Sequence, residues 1–172
     1  MDFELIPVGT FIMGSEDKYD DKKSVHQVRI TQTFYMGKYE VTQAQRESLM
    51  GNNPSDFKGP NLPVEQVSYE DVQTFILRLN QREGGTQYRL PTEAGWEYAC
   101  RAGTTTPFYF GRTITTDQVN YDGNYPYNNG PRGIYRENKM PAGSFAPNAF
   151  WAVRHARQRV GVVFGLVRLG LL

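Results

Sequence analysis

Cysteine is almost missing from this chain. Cys100 is the only one in 172 residues, so no intrachain disulfide can form. Histidine is nearly as scarce, with His26 and His155 alone. The opening residues, Met1-Asp2-Phe3-Glu4, lack the basic start and the apolar stretch of a signal peptide, so the default expectation is a cytoplasmic chain. Long apolar runs are also lacking. Residues 160–172 are apolar but too short to cross a bilayer and are broken by Arg168, so no membrane partner is expected. Acid is absent after residue 150: all 18 Asp and Glu precede it, while the last 22 residues carry Arg154, Arg157, Arg159 and Arg168. Setting those four aside leaves 15 basic against 18 acidic groups in residues 1–150, a net charge of −3. A mildly acidic body offers no electrostatic footprint for nucleic acid.

The residues present point to a loop-rich α+β domain. Eleven Tyr and ten Phe can supply a core, and 17 Gly and ten Pro supply turns rather than a helical bundle. The length suits one domain. Residues 3–13 read as strand interrupted at Pro7-Val8-Gly9, residues 25–30 alternate as a second strand, and residues 33–39 read as a third. Between them, residues 16–23 form a charged loop.

Three helices are predicted by their caps. Thr42 with Gln45 three residues on forms a capping-box pattern for a helix over 43–49, stopped near Gly51. Ser68 with Asp71 does the same for 69–82, where Val72, Phe75, Ile76 and Leu79 keep helical spacing and Gly84-Gly85 ends the run. Thr92 caps a third helix over 93–102, but Gly95 stands where a glutamate would complete the box. Glycine there loses the reciprocal contact and costs about 1 kcal/mol of backbone entropy. From Gly103 to residue 150 the chain is turns and short extended pieces, a length of irregular chain that needs a ligand or a partner segment to hold it.

The stretch YRLPTEAGWEYACRAG over residues 88–103 closely resembles the central signature of the formylglycine-generating, or sulfatase-modifying, enzyme family. The resemblance extends over residues 3–150. It takes in IPVGTFIMGS at 6–15, His26, YEVT at 39–42, Pro63-Val64, VSYED at 67–71, Val119-Asn120-Tyr121 and GSFAPN at 143–148. Such a resemblance implies the irregular C-type-lectin-like α+β fold of that family, here incomplete. The family usually carries glutamate where this chain has Gly95.

After residue 150 the family continues with Gly-Leu-Tyr-Asp-Met-x-Gly-Asn-Val-Trp-Glu-Trp, and this chain does not. Dropping one base at Trp151 restores the pattern across codon borders. The Trp151/Ala152 border forces Gly, and the following borders permit each required residue in order. The expectation is therefore an N-terminal part of the domain over 1–150 and an out-of-frame tail over 151–172.

The resemblance also implies chemistry. In the family a C-terminal cysteine pair binds copper and uses oxygen to convert a sulfatase cysteine to formylglycine. Here there is no second cysteine, so no copper site and no catalytic residue is assigned, and the chain is expected to be inactive as it stands. Cys100 then reads as a small structural hydrophobe. The family's calcium site places Asn120, through its side-chain oxygen, and Tyr121, through its main-chain carbonyl, as metal ligands, with Asp122 and Glu137 nearby in sequence. An Asx turn at Asn120 or Asp122 is the competing reading. Two histidines argue against the related iron-dependent sulfoxide synthases, which need a histidine cluster. His26 reads as a structural hydrogen-bonder.

Glu93, Glu97 and Arg101 share a helix face as a solvated or salt-bridged set, and Arg89 and Arg101 anchor the signature to loops. Tyr121, Tyr125, Tyr127 and Tyr135 either pack the loops down or bind peptide or glycan. The partner implied is a sulfatase-type polypeptide. The alternative function is a non-catalytic ligand- or protein-binding module of the same fold. Oligomeric state is open.

Overall fold

The computed structural model describes residues 1–15, 25–150 and 166–169. The architecture is α+β, with three helices and two small antiparallel sheets. The strands are β1 (Phe3–Ile6), β2 (Gly9–Met13), β3 (His26–Ile30), β4 (Phe34–Gly37), β5 (Tyr88–Arg89) and β6 (Val167–Arg168). The helices are α1 (Gln43–Met50), α2 (Tyr69–Glu83) and α3 (Glu93–Arg101). The expected first strand breaks in two at Pro7, and β2 pairs with β3 from Gly9↔Ile30 to Met13↔His26. The charged loop expected at 16–23 lies outside the described residues.

Each helix begins at the expected cap. In α1 the Thr42 side chain accepts from Gln45 N–H and the Gln45 side chain returns to Thr42 N–H. Ser68 and Asp71 make the same reciprocal pair for α2. In α3 Thr92 accepts from Gly95 N–H at 3.1 Å, but no side chain can return from Gly95. Gly51 and Gly84 terminate α1 and α2 in the left-handed region, φ 80° and 71°, which glycine enters without a Cβ clash.

The four-stranded sheet runs β1-β4-β6-β5. Strand alternation splits its residues between two cores. On one face Phe3 and Tyr88 meet Val72, Phe75, Ile76 and Leu79 of α2, the residues picked out by helical spacing. On the other, Ile6, Phe34, Met36 and Val167 pack on Tyr98 and Ala99 of α3. The sheet therefore sits between α2 and α3, and α1 packs beside α2.

Strands β5 and β6 were not anticipated. Two-residue strands carry no alternation signal, so the sequence pattern does not predict them. Residues 151–165 and 170–172 of the expected out-of-frame tail lie outside the described residues. Of the rest, Leu166 and Val167 are buried, and β6 pairs antiparallel with both β4 and β5.

Candidate functional site

The signature helix is tied down along its C-terminal half. Glu97 and Arg101, one turn apart on α3, form a half-buried ion pair at 2.7 Å. Glu97 Oε1 accepts Gly14 N–H at 3.0 Å, and an Arg101 guanidinium N–H donates to the Gly14 carbonyl at 2.8 Å. The expected salt-bridged face thus clasps the end of β2, while Glu93 stays exposed. Arg101 anchors as expected. Arg89 bonds locally, to the Leu90 carbonyl at 2.8 Å. At the same C-terminal end of α3, buried Asn148 donates to the carbonyls of Ala99 at 2.7 Å and Cys100 at 3.2 Å. Cys100 is half-buried in the last turn of α3 and is in no disulfide. His26 is exposed at the start of β3.

Copper(I) is held by soft thiolates, and a chain with one cysteine cannot offer a pair. Among the described residues no three His, Cys, Asp or Glu side chains group together. The residues present do not fit copper.

The sequence-designated pair Asn120 and Tyr121 is half-buried where the long irregular region doubles back. Asn120 donates through Nδ2 to the Asn138 carbonyl at 2.7 Å, and the Tyr121 hydroxyl donates to the Ile114 carbonyl at 3.1 Å. The Asx turn falls on Asp122, whose Oδ1 accepts from Asn124 N–H and Nδ2, each at 3.0 Å. Asn120 Oδ1 and the Tyr121 carbonyl would give two of the six to eight oxygens calcium takes. Of the tyrosines, Tyr121 packs inward, Tyr127 meets Phe108 edge-on at 5.0 Å, and Tyr125 and Tyr135 are exposed beside exposed Ile134. The two readings of this cluster thus divide along the loop.

A polar cluster under the loop 52–66 went unread in the sequence. Buried Gln43 donates to the carbonyls of Phe57 (2.7 Å) and Pro63 (3.3 Å), and its oxygen accepts from Asn53 Nδ2 and Gly59 N–H. Buried Glu65 accepts the N–H groups of Asp56 and Phe57 through Oε1, at 2.8 and 3.0 Å. Its Oε2 is enclosed with no donor among the described residues. Buried Arg46 reaches the Asn52 carbonyl and side chain, and lies 3.7 Å from Asp71. The Ser68 N–H, then the Ser68 hydroxyl, then the Arg46 charge hold the Asp71 carboxyl below its ordinary value. Polar residues inside a capped helix give no sequence cue that they will turn inward.

A cavity of about 190 Å³ opens between β3, the β3–β4 turn, β5 and the start of α3, lined among others by Arg29, Ile30, Phe34, Arg89, Gly95 and Val167. A smaller one of about 90 Å³ lies by Phe3, Tyr39, Glu40 and Leu166.

The sulfatase-modifying factor enzyme 1-like domain family matches residues 2–153. Chaperone protein LppX of Paenibacillus barcinonensis is 32% identical over 151 residues, covering 69% of this chain and 52% of LppX. The formylglycine-generating enzyme of Mycobacterium tuberculosis is 37% identical over 93 residues, 51% of this chain and 28% of the enzyme. The solved structure of PvdO from Pseudomonas aeruginosa superposes with a TM-score of 0.67 at 26% identity, covering 87% of this chain and 65% of PvdO. The chain spans about half the length, or less, of the curated relatives it matches.

Proposed function

The chain belongs to the sulfatase-modifying factor enzyme 1-like family, and from that membership we propose that residues 1–150 form the N-terminal part of a formylglycine-generating-enzyme-like domain with an incomplete C-type-lectin-like fold. The parent activity is copper- and oxygen-dependent oxidation of a sulfatase cysteine to formylglycine, and these 172 residues do not perform it by themselves. One observation carries the second statement: the single thiol, Cys100, sits in α3 with no second cysteine in the chain to complete a thiolate pair.

The test is incubation of the purified chain with a sulfatase-type cysteine peptide, copper and oxygen, followed by mass spectrometry. The peptide is expected to keep its mass; the aldehyde product overturns the proposal. Peptide binding measured by fluorescence anisotropy in the same mixture separates the alternative. Binding without oxidation makes the chain a non-catalytic recognition module of the same fold. The exposed side chains of Tyr125, Ile134 and Tyr135 favour that alternative.

Calcium at Asn120 and Tyr121 belongs to the same proposal. Its support is that Asn120 commits its N–H side to Asn138 across the loop, which aims the amide oxygen elsewhere. Thermal unfolding in calcium against EGTA is expected to differ by a few degrees; coincident curves remove calcium. The out-of-frame origin of residues 151–172 is likewise proposed. The nucleotide sequence near codon 151, read one base on, is expected to give Gly-Leu-Tyr-Asp-Met-His-Gly-Asn-Val-Trp-Glu-Trp, and stop codons in that frame would make the tail native.

A further inference from the structure

The cavity at the start of α3 has an unusual charge composition. Among the described residues the charged groups that line it are two arginines, Arg29 and Arg89, with no carboxylate. They come from different parts of the chain: Arg29 from β3 and Arg89 from β5. Thr31, Gln32 and Thr92 add hydrogen-bonding groups, while Ile30, Phe34 and Val167 give an apolar wall. Arg89 spends one N–H on the Leu90 carbonyl, out of the five donors of a guanidinium.

The cavity exists beside a missing side chain. In α1 and α2 the third helical residue, Gln45 or Asp71, folds back onto the cap. In α3 that residue is Gly95, which lines the cavity itself. A Cβ there would stand 3.5 Å from the Phe34 ring and 3.1 Å from Thr92 Oγ1. An acidic side chain at 95 would therefore bring a carboxylate into the neighbourhood of the two arginines. Glycine leaves that position without a side chain, so the cavity stays open beside the two arginines.

We propose that this cavity binds a carboxylate with a short apolar tail, taken up by Arg29 and Arg89 with the tail against Ile30, Phe34 and Val167. Guanidinium groups match planar carboxylates in shape and charge, and this hollow sets convergent polar groups beside an apolar wall, an arrangement that orients a small ligand. A free branched acid and the C-terminal carboxylate of a polypeptide ending in leucine share this chemistry.

The experiment uses the whole 172-residue chain, labelled with ¹⁵N, and three probes: 4-methylpentanoate, its neutral amide, and the peptide acetyl-Gly-Gly-Gly-Leu with a free C-terminus. Titration is expected to shift the amide signals of residues 29–34, 89 and 92–95 with either acid, and to leave them in place with the amide. Tighter binding of the peptide assigns the site to a chain terminus, and equal or weaker binding to a free acid. Arg29→Gln, at an exposed position, is expected to weaken the acids about tenfold. Gly95→Glu is expected to abolish their binding while holding or raising the Tm, because it supplies the carboxylate internally and completes the cap. Equal shifts with acid and amide overturn the proposal, as do no shifts with either acid, or acid binding unchanged in folded Gly95→Glu.

Discussion

Between Phe3 and Arg101 the described chain makes three helices and five strands; between residues 104 and 150 it makes one 3-10 turn at Tyr127–Asn129 and an isolated bridge from Phe108 to Gly111. The first region satisfies its backbone in helices and ladders, with β6 completing the sheet, and buries periodic apolar faces. The second is held by side chains bonding to distant backbone. The Tyr109 hydroxyl donates to the Ala146 carbonyl, Asn120 to Asn138, Arg136 to the Thr116 carbonyl, and Ile134 N–H to Thr116 Oγ1. Its turns also meet backbone to backbone. Gly133 N–H donates to the Gly123 carbonyl at 3.0 Å, and a Cβ on Gly123 would fall 2.3 Å from the Gly133 backbone. Stability in the first region is collective; in the second it is a list of single bonds, each replaceable and each breakable.

If so, the largest loss comes from the periodic core. Phe75 is wholly buried between α2 and the sheet, and Phe75→Ala is expected to cost about 3–5 kcal/mol. Chemical denaturation should show it as a global loss; a cost under about 1 kcal/mol would mean that α2 does not organise the core. Glu65 comes next, because it brings a single-bond mode of support into the regular region. Glu65→Ala strands two amide N–H groups, at about 2–3 kcal/mol. Glu65→Gln keeps an accepting oxygen for both N–H groups, so it should cost clearly less than alanine. Equal losses would show that packing, not the two bonds, is what Glu65 provides.

Within the irregular region the matching change is Thr116→Val, nearly isosteric at a buried position. It removes the acceptor for Ile134 N–H and should cost about 1–2 kcal/mol. The expected readout differs in kind: faster amide exchange across residues 130–137 with little change in α2. Uniform acceleration through the whole chain would merge the two regions into one cooperative unit and dissolve the comparison.

The same division explains what the sequence disclosed. Thr42/Gln45, Ser68/Asp71 and the spacing of Val72, Phe75, Ile76 and Leu79 are local signals, and they place α1, α2 and α3 within about a residue of their observed ends. The family signature at 88–103 was legible for a similar reason, being contiguous. Strands β5 and β6 were not, since two residues in a ladder owe their conformation to neighbours far along the chain. Gln43 and Glu65 gave no sign either: a glutamine in a helix and a glutamate in a loop look solvated until the loop 52–66 folds over them. The arginine-lined cavity joins residues 29–34, 89–95 and 167, so only the fold assembles it. Gly95 was read as a defect of the cap, and the cap is indeed single-sided; that the same glycine borders a cavity could not be seen from its neighbours.

The smallest expected effect tests a cap directly and separates its two bonds by pH. Ser68 Oγ accepts Asp71 N–H at 3.1 Å and donates to Asp71 Oδ2 at 3.0 Å. Ser68→Ala should cost about 1 kcal/mol near neutral pH. The Ser68 N–H bond, which lowers the Asp71 pKa most, survives this substitution; the hydroxyl's contribution does not. Because folding depresses this carboxyl, its contribution is fully present above the ordinary value of 3.8 and fades as pH falls through the lower native value. On acidification the gap between native chain and variant should therefore narrow but not close, since Asp71 N–H still donates to the Ser68 hydroxyl. A gap that stays constant from pH 7 to pH 3 would place the whole value of the cap in the Asp71 N–H bond and none in the carboxylate.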